Sequence, residues 1–143
     1  MILETSHTNK DISLLINDLV GIPFNFIKNL KMKGTVSKRM IIEESSDNMK
    51  DYLNSTFDAT YANIELRQLG ILVRIFKGLT NFTWVIPYYQ LVIYKSNRRS
   101  IYAQGRYIRF RADRNFEENK EFFEKLLGQK EKYEAKYDYL NFK

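Results

Sequence analysis

Ala62-Asn63-Ile64-Glu65-Leu66-Arg67-Gln68-Leu69-Gly70-Ile71 opens the stretch that decides the fold, because apolar Ala62, Ile64 and Leu66 alternate with polar Asn63, Glu65 and Arg67. A period of two sends one set to a buried face and the other toward water, the pattern of a half-buried β-strand. Gln68-Leu69-Gly70 turns the chain into a second strand, Ile71 to Lys77, and Gly78 to Asn81 turns it again into Phe82 to Ile86. In that third strand Phe82, Trp84 and Ile86 share one face and Thr83 and Val85 the other. Pro87 has no N–H to give a ladder, so it marks an edge, a bulge or a corner before Leu91 to Lys95 resumes. The last pair, Ile101 to Gln104 and Arg106 to Arg111, closes around Gly105, which can take the positive φ of a two-residue turn. Five or six strands in such direct succession pair antiparallel.

Upstream the period becomes helical. Thr8 to Asp11 can start a helix in which Ile12, Leu15, Ile16 and Leu19 share a face, and Gly21 and Pro23 stop it. Pro23 also suits the first turn of a second helix, with Phe26, Ile27 and Leu30 on one face before Gly34. The spacing predicts helices at about Asp11 to Val20 and Pro23 to Lys33, and a shorter one from Asp47 with Met49, Tyr52 and Leu53 inward. Thr35 to Glu43 is apolar enough for a strand.

Downstream, Asn115 is the expected N-cap of a C-terminal helix whose acids Glu117, Glu118 and Glu121 favour the positive helix start. Its apolar stripe is Phe116, Phe123, Leu126 and Leu127, and Phe123 and Leu127 should cover Trp84 and Ile86. Gly128 weakens the helix without ending it, and Tyr133, Tyr137 and Leu140 extend the stripe. That extension should pack against the N-terminal helices or against a second copy, giving a homodimer through the C-terminal helix. The expected fold class is therefore α+β: a strongly bent antiparallel sheet or small barrel, short N-terminal helices and a C-terminal capping helix. The chain reads as a single domain over 1–143, with a helical region at 11–58, sheet plus helix at 62–127 and a helical tail at 128–143.

The run Asn63-Ile64-Glu65-Leu66 through Gly70-Ile71, the Trp84-Val85-Ile86-Pro87-Tyr88 corner, Leu91-Val92-Ile93-Tyr94 and the Phe116 to Leu127 helix together resemble the bacterial pleckstrin-homology-like (PH-like) domains. The resemblance covers about half of the chain, residues 62–127. It implies a strand ending in an isoleucine-proline step and a C-terminal helix that plugs a small barrel. Such domains serve phosphoinositides, peptides, proline-rich ligands and scaffolding, so the resemblance implies binding without choosing a ligand. The basic pattern for phosphoinositides belongs to a first hairpin that has no counterpart here, and no lipid-site residue is carried over.

With no Cys and only His7, a four-ligand Cys/His zinc site and thiol chemistry are excluded from within the chain. No nucleophile elbow, Ser-x-x-Lys motif or glycine-rich phosphate loop occurs. Glu117, Glu118, Glu121 and Glu124 read as the wet face of a capped helix, so neither an enzyme nor a cofactor is expected. No apolar run reaches the roughly 18 residues of a membrane span, and Met1 to Thr8 is no secretory signal, so the expected location is cytoplasmic.

Charge is the sharper signal. Lys95 to Arg114 holds seven basic residues and one acid, Asp113, a balance equal to the whole chain's +6. A Gln104-Gly105 turn sets Tyr102 opposite Tyr107, Ile101 opposite Ile108 and Ser100 opposite Arg109, and would set Arg98 against Arg111. The candidate anion-binding residues are thus Arg98, Arg99, Tyr102, Tyr107, Arg109 and Arg111, with Ile101, Ile108 and Phe110 buried. These arginines either meet an external anion, or guard an exposed edge and pair with the acidic helix face. The expected function is a non-enzymatic binding or scaffolding module for an acidic protein or an anionic lipid headgroup. The alternative is single-stranded nucleic acid on the same hairpin. A second basic window, Lys28, Lys31, Lys33, Lys38 and Arg39, has no acid between Pro23 and Ile42. Its apolar face suits either an interfacial helix or packing on the chain's own sheet, and packing is the reading adopted.

Overall fold

The computed structural model describes residues 1–7, 9–55 and 58–141, with side chains as far as 137. Its strands are β1 (Ile2–Glu4), β2 (Met40–Ser45), β3 (Tyr61–Leu66), β4 (Gly70–Lys77), β5 (Thr80–Pro87), β6 (Val92–Tyr94), β7 (Asn97–Ala103) and β8 (Arg106–Phe110). Its α-helices are α1 (Lys10–Val20), α2 (Phe26–Lys31), α3 (Arg114–Glu117) and α4 (Lys120–Asn141), with 3-10 turns at Asp47–Tyr52 and Tyr88–Gln90. The eight strands form one antiparallel sheet in the order β1-β5-β4-β3-β2-β8-β7-β6.

The sheet is mixed with helices, as expected, and it bends without closing: β1 and β6 remain its two edges. Bending brings the β7–β8 turn against β5. Gln104 accepts a hydrogen bond from Trp84 Nε1 at 3.1 Å and donates to the Val85 carbonyl at 3.0 Å. On the concave face the alternating residues Ala62, Ile64, Leu66, Ile71, Val73, Ile75, Trp84 and Ile86 are all fully buried. Phe122, Phe123 and Leu126 of α4 join them from above, while Leu127 is only half-buried. Trp84 and Ile86 thus lie in one apolar cluster with Phe123, and Phe122, which falls outside the expected stripe, is buried with them.

The convex face is covered at one end. Ile16 and Val20 of α1 close on Leu72 and Val85, which explains why Ile71-Leu72-Val73 is an unbroken apolar run. Gly70 permits this closeness, because a Cβ there would lie 2.4 Å from the Ile86 carbonyl oxygen and 2.7 Å from Val20. Asn9 caps α1 within the expected start, accepting from the Asp11 and Ile12 amides; Thr8 lies outside the described residues. Leu15, expected inward, is exposed.

Other expectations need correction. The 11–58 region is not purely helical, since β2 runs through it and lies between β3 and β8. The Thr35 to Glu43 strand starts later, at Met40, preceded by a single bridge from Val36 to Glu65. The second helix is only Phe26–Lys31, and its apolar face does not pack on the sheet. Phe24 and Met32, just outside its ends, are the residues that reach the core, so the stripe between them turns to solvent. β1 has no counterpart among the expected strands.

The C-terminal helix is capped by Asp113, not Asn115, through a 3.0 Å bond from the Phe116 amide, and it breaks at Asn119 into α3 and α4. α4 runs unbroken through Gly128. Tyr133 packs on Tyr88 with ring centroids 5.6 Å apart, so this part of the tail is held by the corner after Pro87 and not by the N-terminal helices. The Leu140 side chain lies outside the described residues. No helix among the described residues is long and apolar enough to cross a membrane.

Candidate functional site

Gln104 and Gly105 adopt φ of 56° and 72°, the paired positive values of a two-residue hairpin turn. The turn sets the register Ser100↔Arg109, Ile101↔Ile108, Tyr102↔Tyr107 and Ala103↔Arg106, as the sequence predicts. Ile101, Ile108 and Phe110 point into the core. Pairing stops at Ser100, so Arg98 and Arg111 are not cross-strand partners.

On the outer face the rings form a ladder. Tyr94 meets Tyr102 edge-on at 5.4 Å, and Tyr102 lies 5.4 Å from Tyr107 with the planes tilted by 32°. Beside the ladder a depression of about 350 Å³ is lined by Gln90, Val92, Tyr102, Arg106 and Tyr107. β6 is the open edge of the sheet here, and Val92 and Tyr94 are exposed on it.

Most of the hairpin arginines already have partners. Arg98 pairs with Glu124 of α4. Arg99 reaches Glu43 at 3.3 Å and the Phe110 carbonyl at 3.0 Å. Arg109 binds both Glu43, at 3.2 Å, and Glu44, while Tyr107 donates its hydroxyl to Glu44 at 2.6 Å. The cause is a bulge in β2: the register slips between Ile42, opposite Phe110, and Glu44, opposite Arg109. Successive strand residues ordinarily face opposite ways, and the slip lets two adjacent acids serve one arginine. Arg106 is held by the Asn48 carbonyl. Arg111 differs: it is exposed and makes no ion pair among the described residues. Of the six candidate residues, the structure therefore gathers Tyr102, Tyr107 and Arg109 on one face. It ties Arg98 and Arg99 to neighbouring elements and leaves Arg111 free.

A polar cleft that the sequence reading missed lies under α1. It encloses about 370 Å³ between Thr5, His7, Asn17, Arg67, Arg74 and Thr83. Arg67, 6% exposed, binds Glu65, Asn17 at 3.0 Å and the Gly21 carbonyl at 2.8 Å, and Arg74 holds the other Glu65 oxygen at 2.8 Å. Burial acts to raise the Glu65 pKa, but Arg74 and Arg67 prevail and hold the carboxyl below its ordinary value. With so many bonds to the chain itself, Arg67 staples α1 to the sheet. His7 is exposed at the mouth. Nearby, burial pushes the Tyr88 phenol up, and its hydroxyl donates to the Arg67 carbonyl at 3.1 Å. No cluster of three metal-ligating side chains occurs among the described residues.

Comparison of the chain with known protein families, with curated proteins and with solved structures finds no match.

Proposed function

We propose that the chain is a non-enzymatic binding module that recognises an acidic protein segment across the outer face of β7 and β8. The observation that carries this reading is the Tyr94-Tyr102-Tyr107 ladder beside Arg106, next to the open β6 edge, with the exposed Arg111 following on the end of β8. Tyrosine and arginine are the side chains most enriched where protein partners bind, and an edge strand offers main-chain groups to an extended segment. Residues 62–127 resemble domains that serve as binding modules, which agrees with this reading.

Single-stranded nucleic acid is the weaker fit. Bases need open ring faces, and here Tyr102 is flanked by Tyr94 and Tyr107, each of which takes up part of its neighbour's surface. The test is a parallel anisotropy titration of a labelled glutamate-rich peptide and an oligouridylate. The peptide is expected to bind, and Arg111→Glu is expected to weaken it on the order of tenfold. Tighter binding of the oligouridylate, or no binding of the peptide, would refute the reading.

A further inference from the structure

The most exposed run of large apolar side chains among the described residues has no role in the hairpin. Ile22 is 66% exposed, Phe26 77%, Ile27 65% and Leu30 64%, four large side chains within nine residues. At about 100° per residue, Phe26, Ile27 and Leu30 of α2 fall within one arc of about 100°, with Lys31 on its flank and Lys28 on the far side of the helix. The arc is held outward by construction. Phe24 and Met32, each half-buried, pack against the core on either side of it, and Asn25 caps the helix by accepting from the Lys28 amide at 2.8 Å. Lys125 of α4 closes the other end, donating to the Met32, Lys33 and Gly34 carbonyls at 3.1, 3.1 and 2.9 Å. A segment secured at both ends presents this face without rearrangement.

Charge distinguishes the possible covers. The hairpin arginines are largely matched by Glu43, Glu44 and Glu124, whereas Lys28, Lys31 and Lys33 are exposed and make no ion pair among the described residues. No acid lies between Pro23 and Ile42 to offset them. Bulky apolar tips with Lys31 at their border and Lys33 just past the helix end match a surface that is anionic at its plane and apolar beneath it. Lysine stems can lie along the apolar patch while their amines stay at that plane.

We propose that the α2 segment docks the protein on an anionic bilayer, seating Phe26, Ile27 and Leu30 at the boundary of headgroups and acyl chains. The surface is separate from the hairpin and does not depend on the hairpin's partner. Six helical residues are too few to span, so attachment is peripheral and reversible. Each lysine near such a surface contributes about fivefold in partitioning, and the apolar tips supply the rest.

The experiment uses the full chain carrying Phe26→Trp. Trp84 is fully buried, so the new indole alone reports on the surface. With vesicles of phosphatidylcholine and phosphatidylglycerol its emission should shift to the blue, and lipids brominated near the carbonyl end should quench it. Pure phosphatidylcholine should give little of either. Lys28→Glu, Lys31→Glu and Lys33→Glu together should reduce sedimentation with anionic vesicles on the order of a hundredfold, and Ile27→Ser with Leu30→Ser on the order of tenfold, with unchanged circular dichroism. Arg111→Glu should bind vesicles like the parent. The proposal is overturned if anionic vesicles give no shift, or if Arg111→Glu removes binding while the lysine variant keeps it. A blue shift that grows with protein concentration in the absence of vesicles would also overturn it, by assigning the face to a second copy of the chain.

Discussion

Asn119 grips both polar groups of Lys38: its Oδ1 accepts from the Lys38 amide at 2.9 Å and its Nδ2 donates to the Lys38 carbonyl at 3.2 Å. The same Nδ2 donates to the Asn115 carbonyl at 2.9 Å, across the break between α3 and α4. At 2% exposure the side chain substitutes for a strand partner, tying the segment before β2 to the C-terminal helices. Replacing it with Ala removes the partner of the Lys38 amide and of the Asn115 carbonyl, while the Lys38 carbonyl keeps the Ser37 hydroxyl at 3.0 Å. Asn119→Ala should therefore cost about 2–3 kcal/mol, read as a lower denaturant midpoint at unchanged slope. A midpoint equal to the parent's would show that water satisfies these groups.

Glu65 is held between Arg67 and Arg74, and its pKa lies below the ordinary value of 4.5. A depressed carboxyl pKa adds stability that is fully present above the unfolded-state value and is lost as pH falls through the folded one. Glu65→Gln should cost about 3 kcal/mol at pH 7, because it leaves Arg67 buried without its counter-charge. Below pH 4 the gap between parent and variant should narrow. Urea unfolding at pH 7 and pH 3 measures both, and a gap that stays constant would deny Glu65 this part in acid unfolding.

Gly70 shows how a small residue can record a distant contact. Any Cβ there would strike the Ile86 carbonyl, Val20 and Pro87, so α1 and β5 both occupy the space a side chain would need. Gly70→Ala should cost at least about 3 kcal/mol by overpacking, and unfolding by heat or urea would measure it. An unchanged melting temperature would mean that α1 is free to move off the sheet.

What the sequence could reveal follows the range of each interaction. The Tyr102↔Tyr107 register was legible because a two-residue turn fixes it locally, and the Trp84 face because period-two alternation needs only neighbours. The partners of Arg109 were not, since Glu43 and Glu44 lie more than sixty residues away and reach it through a bulge that leaves no mark on composition. β1 was missed because Ile2–Glu4 is too short to show alternation. For α2 the amphipathic pattern was read correctly, but hydrophobic spacing says only that a face exists, not whether the protein itself covers it. Phe24 and Met32 decided that question from outside the helix.

Arg109 and Arg111 sit two residues apart at the end of the hairpin, yet reversing their charge should have opposite consequences. Arg109 binds Glu43 and Glu44, so Arg109→Glu loses two pairs and sets a third acid beside them. Those side chains are about a third to two-fifths exposed, and solvent screening limits the cost to about 1–2 kcal/mol. Arg111 has no acidic partner among the described residues, and Arg111→Glu should leave the melting temperature within error while it weakens the acidic peptide. Glu43→Gln makes the complementary change: it removes the acid paired with Arg99 and one of the two paired with Arg109, and should tighten the peptide. A calorimetric scan of the three variants beside their peptide titrations separates stability from recognition. If Glu43→Gln leaves affinity unchanged while Arg109→Glu lowers stability, these arginines serve the sheet alone, and the peptide reading falls back on Arg111 and the tyrosine ladder.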